Sequence, residues 1–557
     1  MKSLLIKKLA AAILASTLLT ACDAEDREEL EQQASDVLDQ ISDRDEPEDQ
    51  NDAADGNSDN DTAGNDSGDG NDPVVLTQLD QQLQGLIDRL DLDRSAIAGR
   101  DIPDIDSDMA QLGKTLFFSK SLGGDFDSAC VTCHHPMLGG ADQLTLPVGV
   151  GATNPDLLGP GRQHSSGLPE VPRNSPTVFN VALWDNSLFW DSRVESLGKE
   201  PGTNGSVSAI RTPDSAFLQA DGHAGANLAA AQARFPVTSA EEMRGFSFEA
   251  GSNNQQVRDH LAARLGNYGE GSGELEQNEW LALFRQAFAQ TGDAETLITF
   301  DNIAFAIGEY ERSMVFVNSP WHDYVNGDVQ ALSESEKRGA VLFFNAPDQG
   351  GAGCAACHNG PLLSDQQHHT VAFPQIGPGK GDGANSNTTN SDDFGRERET
   401  GNSDDRYRFR TPSLLNIAQT APYGHAGSFA SLEEVVRHYV NPRRSVDAYF
   451  RNNRMCDLPQ MRDIENCAQL YPNARNYSLL AANKLDQEQR NGTSRLARIR
   501  LDNQDVNDLV NFMEALTDPC ITDRECMSAW IADDNNSIQE NPDGQILIAR
   551  DRNNTLL

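Results

Sequence analysis

The chain has 557 residues, with 44 Lys and Arg against 85 Asp and Glu, a net charge of −41 and a mean hydropathy of −0.54. So acidic a surface argues against nucleic acid and anionic lipid as partners, both of which repel it. At 38 % apolar residues the chain still has enough material for two or three buried cores once a polar leader is set aside.

The opening MKSLLIKKLAAAILASTLLTAC has a basic start at Lys2, Lys7 and Lys8 and an apolar run of signal-peptide length. It ends on Leu19-Thr20-Ala21-Cys22, in the manner of a lipoprotein box, so residues 1–22 read as a lipoprotein signal peptide with Cys22 as the lipidated N-terminus. A signal anchor with an ordinary Cys22 is the alternative, but the run is short for a membrane span. Asp23 behind it resembles an inner-membrane retention signal. Residues 23–74 are expected to form a disordered acidic linker: between 23 and 72 there are 20 Asp and Glu against Arg27 and Arg44, a net of −18. A short helix around Glu28 to Ile41 would have little to pack on. The body still carries −26, which suits a basic protein or a small neutral substrate, or solubility alone.

Two stretches then repeat one pattern: CVTCHHP at 130–136 and CAACHNG at 354–360. Two thiols on one turn followed by His are what covalent haem attachment needs, since the thiols bond the haem edge and the His ligates iron. Cys130, Cys133 and His134 are therefore expected to hold one haem c, and Cys354, Cys357 and His358 a second. A zinc site built from both Cys pairs, or two redox disulfides, would leave the adjacent His in each copy unexplained.

An internal repeat divides the body. LGKTLFF at 112–118 and RGAVLFF at 338–344 share Gly, Leu and Phe-Phe at equal spacing, and each precedes a CxxCH. The expected fold is all-α: two cytochrome c-like haem domains at 75–325 and 326–530 with long loops, preceded by the acidic tether and followed by a tail at 531–557. Helical periodicity supports this at 76–90, through Leu76, Leu79, Leu83 and Leu90, and at 298–315 and 505–516. Segments 140–180, 199–235 and 374–406 are rich in Gly, Pro, Asn and Asp and read as long loops or insertions. Setting Cys22 and the haem thiols aside leaves Cys456, Cys467, Cys520 and Cys526; proximity suggests disulfides Cys456–Cys467 and Cys520–Cys526 among the three pairings allowed.

Both CxxCH segments, with PRNSPTVFN at 172–180, FWDSR at 189–193, FPVTSAEEM at 235–243 and FRTPSLLNIAQTAPYGHAGSFASLEEVVRHY at 409–439, resemble the bacterial di-haem cytochrome c peroxidase family, which includes MauG-type enzymes. The resemblance runs in family order from about residue 100 to 520. It implies that Trp190 lies between the haems as an electron relay, that Glu242, six residues after Pro236, stands over an open iron, and that Gln232 lines the same pocket. A carboxylate suits peroxide cleavage, because a proton must pass from one oxygen to the other before the second leaves as water. Glu241 is the alternative to Glu242, and the chain between Arg193 and Gln232 is longer than the family pattern. Asn174 with the backbone oxygens of Thr420 and Pro422 matches a calcium site between domains.

Two departures bear on mechanism. Where well-known peroxidases carry a His that blocks the N-terminal haem, this chain reads GVG with Val150, so that iron is expected to be open unless His164 supplies the ligand. Where they supply Met to the C-terminal haem, the helical face Leu432, Val435, Val436 and Tyr439 presents Tyr439, with Met455 and Met461 as alternative donors. An anionic phenolate favours ferric iron, as in MauG-type enzymes. The expected activity is a periplasmic, lipid-anchored peroxidase that reduces hydrogen peroxide with electrons from a small cytochrome c. The alternatives are a MauG-like enzyme that oxidises residues of a partner protein and a non-enzymatic di-haem carrier. A homodimer is compatible with the sequence.

Overall fold

The computed structural model describes residues 76–386, 390–532 and 541–557. The signal segment, Cys22 and the acidic linker expected ahead of residue 76 lie outside the described residues.

The repeat seen in sequence is a packing unit. Ser107 caps the helix Asp108–Phe118, its hydroxyl accepting from Ala110 N; Ser333 caps Glu334–Phe344 in a capping box with Glu336. Leu116 and Phe117 on the first helix and Phe343 and Phe344 on the second are buried. Each helix is crossed at its glycine. A Cβ on Gly113 would collide with the carbonyl of Ala306, and one on Gly339 with that of Asp508, so the helices Phe300–Ser313 and Asn503–Glu514 pack at backbone distance. Gly-Leu-Phe-Phe thus encodes one close crossing plus an apolar face, used twice.

Two cores result. The first gathers Leu116, Phe117, Trp280, Ile303 and Ile307; the second gathers Phe343, Phe344, Leu509 and Phe512. Both chain ends pack on the core of the repeat farther from them in sequence. Helix Gln78–Leu90 buries Leu83, Leu86 and Ile87 in the second core, where Trp321 and Tyr324 also pack. Leu90 at its end and Leu76 ahead of it are exposed and not part of that face. Asp80 Oδ1 lies 2.8 Å from Lys337 Nζ and accepts from Tyr324 Oη at 2.9 Å. At the other end, Ile546, Leu547 and Ala549 enter the first core, and Asp543 Oδ2 accepts from Trp280 Nε1 at 2.8 Å and Ser121 Oγ at 2.7 Å. The apolar residues of 541–557 need a core, and the open face they find belongs to the first repeat.

The described residues are largely helical, with two small antiparallel sheets that the all-α expectation lacked. Ser187–Leu188 pairs with Val194–Ser196, which pairs with Ile210–Arg211; His368–His369 pairs with Phe409–Arg410. The link between the first two strands carries Trp190 and Arg193, and Arg410 N donates to Trp190 O at 2.9 Å, joining the sheets. Cys456–Cys467 and Cys520–Cys526 are disulfides. Among the described residues no helix is long and apolar enough to cross a membrane.

Candidate functional site

Each Cys-x-x-Cys pair occupies a short turn, Cys130–Thr132 running into Cys133 and Cys354–Ala356 into Cys357, and none of the four thiols is in a disulfide. One cavity is lined by both pairs and by both following histidines. Burial pushes all four thiols upward, those of Cys354 and Cys357 to about 12, so they stay neutral.

The two imidazoles are held alike. His134 Nδ1 lies 3.3 Å from Gly140 O and 3.2 Å from Ser175 Oγ, and His358 Nδ1 lies 3.0 Å from Leu363 O. Anchoring Nδ1 leaves Nε2 as the nitrogen free to bind a metal. Burial lowers both pKa values, that of His134 to about 4, which keeps the ring neutral as an iron ligand must be.

Glu242 is delivered by local geometry that sequence periodicity does not display. Pro236 opens the short turn Pro236–Thr238, and Ala240–Arg244 then forms a wide π-helical turn in which Arg244 N reaches back to Ser239 O at 2.9 Å. Glu241 turns to Ser239, its Oε2 accepting from Ser239 Oγ at 3.0 Å, while Glu242 lines the cavity with Gln232 and Pro236. Burial raises the Glu242 pKa, and the charges of Arg193 and Lys380 oppose that rise. The GVG segment packs on the same turn: Val150 N donates to Glu241 O at 3.3 Å, and a Cβ on Gly149 would collide with the carbonyl of Glu242. Val150 is buried but does not line the cavity. Neither does His164, whose Nδ1 is 2.6 Å from Ser166 Oγ.

Trp190 lines the cavity, its Nε1 donating to Asn174 O at 2.9 Å. Asn174, Thr420 and Pro422 also line it; the Asn174 amide nitrogen donates to Leu144 O at 2.9 Å, which leaves Oδ1 as the atom for a cation. Tyr439, on the helix Leu432–Val440, lines the cavity with Leu432, Val435 and Val436. Burial pushes its phenol upward, so it stays protonated in this structure. Met455 and Met461 pack into the second core instead and do not line the cavity.

Sequence reasoning passed over four lining residues. Arg410 Nη1 and His425 Nε2 are buried without a hydrogen-bond partner, His425 stacking on Phe409 at 3.9 Å. Lys380, from a glycine-rich loop, and Arg193, from FWDSR, add to the Arg410 cation, while burial lowers His425 to about 4 and leaves it neutral. Haem fits this set: unbonded thiol pairs, neutral imidazoles with Nε2 left over, and orphaned cationic donors suited to a group that carries carboxylates.

The sequence profile of the di-haem cytochrome c peroxidase family matches residues 107–330. The cytochrome c551 peroxidase of Pseudomonas aeruginosa is 31 % identical over 332 residues, covering 60 % of this chain and 71 % of that relative. The methylamine utilization protein MauG of Methylorubrum extorquens is 29 % identical over 332 residues, covering 59 % and 67 %. Among solved structures, a MauG-like protein associated with microbial copper homeostasis has 23 % identity and a TM-score of 0.48, covering 77 % of this chain and 96 % of that chain.

Proposed function

This chain belongs to the di-haem cytochrome c peroxidase family, and from that premise we propose that it reduces hydrogen peroxide beside His134 with electrons that enter beside His358. The family implies two haem c groups and an oxidoreductase activity. When bound through Cys130 and Cys133 and through Cys354 and Cys357, the haems supply the iron and the redox equivalents.

The chain's own groups supply orientation and proton transfer. His134 and His358 present Nε2 from rings pinned at Nδ1. Glu242 takes the proton from one peroxide oxygen and returns it to the other, so that the second departs as water. Gln232 orients peroxide by hydrogen bonding, and Trp190 gives electrons a route along the cavity. The observation that carries this reading is Glu242 lining one cavity with Cys133 and His134, while His164 bonds Ser166 outside it.

The reading extends to a small c-type cytochrome as donor and to a periplasmic site reached by lipid at Cys22. It also assigns a calcium ion to Asn174 Oδ1 and the carbonyls of Thr420 and Pro422. A second reading, oxidation of residues on a partner protein as by MauG, is favoured by Tyr439 lining the cavity where Met455 and Met461 do not. Glu242→Gln tests the first reading: both covalent haems should remain while peroxide turnover falls about 10²- to 10⁴-fold, the usual loss for a positioned acid-base group. Undiminished turnover would refute the role of Glu242. Stable oxidation of an aromatic residue on a co-purified partner after peroxide addition would favour the second reading.

A further inference from the structure

The chain sets 44 Lys and Arg against 85 Asp and Glu, yet its residues 489–501, QRNGTSRLARIRL, hold four arginines and no acidic residue. The stretch leaves the last turn of the helix Ala474–Asn491, turns at Gly492, whose φ is +69°, and runs as an irregular strap to Asp502, the N-cap of Asn503–Glu514. Leu496, Ile499 and Leu501 are half-buried and line the cavity, while Arg490, Arg495, Arg498 and Arg500 are exposed. The acids that flank the strap are already engaged. Glu488 Oε1 accepts from Arg408 at 3.0 Å, and Asp502 Oδ1 accepts from the backbone N of Gln504 at 2.8 Å and of Asp505 at 2.9 Å.

This basic strap lies where the cavity meets solvent. Among the described residues that line the cavity, only Arg495 and Ala497 are exposed. Arg495 Nη1 donates to Ala356 O at 3.0 Å, which pins the strap to the turn Cys354–Ala356. The two Cys-x-x-Cys turns differ in the same sense: Ala356 is exposed in the second, whereas Val131 and Thr132 in the first are 0 % and 1 % exposed. The second attachment turn is thus reached from the surface beside the arginines, and the first is covered.

We propose that the strap 489–501 docks the protein that delivers electrons, and that this donor presents a carboxylate-rich face. The inference rests on the reading in which electrons enter beside His358, and it names the partner at that end. Charge complementarity selects the occupant. The acidic body repels a carboxylate-rich protein over most of its surface, which leaves the strap as the favoured approach and brings the donor to the opening. A lysine-rich donor, which the net charge of the body suggests, would be drawn to the acidic surface at large and repelled at the opening. Arg490, Arg498 and Arg500 do not line the cavity, so the carboxylates of a haem inside it do not account for them.

The test uses two probes, a lysine-rich cytochrome c and the same protein succinylated, which turns its ammonium groups into carboxylates. Binding of each to the haem-loaded, full-length protein is measured by calorimetry at low ionic strength without peroxide, and oxidation of each reduced probe by peroxide in stopped flow. The triple variant R490Q/R498Q/R500Q removes the outward charges. Arg495, which also lies 3.8 Å from Asp365, is left in place because it holds the strap. The wild type should bind the succinylated probe and oxidise it about tenfold or more faster than the triple variant does, a difference that high salt abolishes. The unmodified probe should lose nothing in the variant. Equal binding and equal rates for the succinylated probe in wild type and variant overturn the proposal. So does binding to phosphatidylglycerol vesicles that the arginines carry without any binding of the succinylated probe, which assigns the strap to a membrane surface. Binding of the succinylated probe that depends on the arginines, in a protein that consumes no peroxide, supports the docking surface and overturns the peroxidase reading instead.

Discussion

The two ends of the cavity are built on the same repeat and walled by unlike residues. The half of the chain that carries His134 lends the cavity Glu242, Gln232 and Arg193; the half that carries His358 lends it Leu432, Val435, Val436 and Tyr439. The helix, its glycine crossing and the pinned imidazole are common to both. What differs arrives on segments outside the repeated pattern: a π-helical turn from the half that carries His134, a regular amphipathic helix from the other. The repeat therefore places the histidines, and the added segments decide the chemistry beside each. A titratable carboxyl suits bond cleavage coupled to proton movement, whereas an apolar helix face that carries a phenol suits passage of electrons.

The comparison breaks most visibly if attachment is removed at one end. Replacing Cys130 and Cys133 by Ala should cut the covalent haem content from two to one by pyridine haemochrome assay and abolish peroxide turnover. The same change at Cys354 and Cys357 should remove the other haem and stop turnover with a reduced cytochrome donor. A wild-type protein with a single covalent haem would dissolve the comparison altogether.

Next in size is a change that moves Glu242 without altering it. Gly149 packs on the Glu242 carbonyl, so Gly149→Val must push the π-helical turn away from the cavity. Misplacement of a catalytic group by about 1 Å costs roughly 10²-fold, and a loss of that order in peroxide turnover with both haems retained is expected. Unaltered kinetics would mean that the turn tolerates displacement.

Tyr439→Met sharpens the other end. A thioether favours ferrous iron where a phenolate favours ferric, so potentiometry should show the C-terminal haem easier to reduce by about 59 mV or more, a tenfold change for one electron. A potential that stays put would remove Tyr439 from the ligand set.

The smallest effect on chemistry is expected at Asp80, which ties the first helix to the second core. Burial raises its pKa, but Lys337, Thr77 and Tyr324 outweigh burial and hold the carboxyl well below the usual range. A depressed folded pKa contributes stability above the unfolded value of about 3.9 that is lost as pH falls through the folded one. Asp80→Asn should therefore cost about 2 kcal/mol near neutral pH, lose that effect in strong acid, and leave peroxide turnover per folded molecule unchanged. Thermal melts at pH 7 and pH 2 would check it.

The parts legible in sequence are those written locally. Two CxxCH motifs, Gly-Leu-Phe-Phe and the Pro236 to Glu242 spacing each occupy a few consecutive residues. The disulfide pairs were near in sequence as well as in space. The ends of the chain were not legible, because Leu83 and Leu547 find their cores through contacts hundreds of residues away, and an apolar face does not name its partner. Lys380 was hidden for a different reason: glycine spacing marks a loop and does not say which cavity the loop lines. Arg410 and His425 sat inside a motif matched for its family resemblance, and their orphaned nitrogens emerge only from burial.

The central claim is that the irons differ in access, and the EPR spectrum of the as-isolated, fully oxidised protein tests it most directly. The account predicts one high-spin ferric signal from an open iron beside His134, together with a ligated haem whose spectrum changes in Tyr439→Phe while the high-spin signal does not. Two low-spin signals, with no high-spin component and no response to Tyr439→Phe, would contradict it.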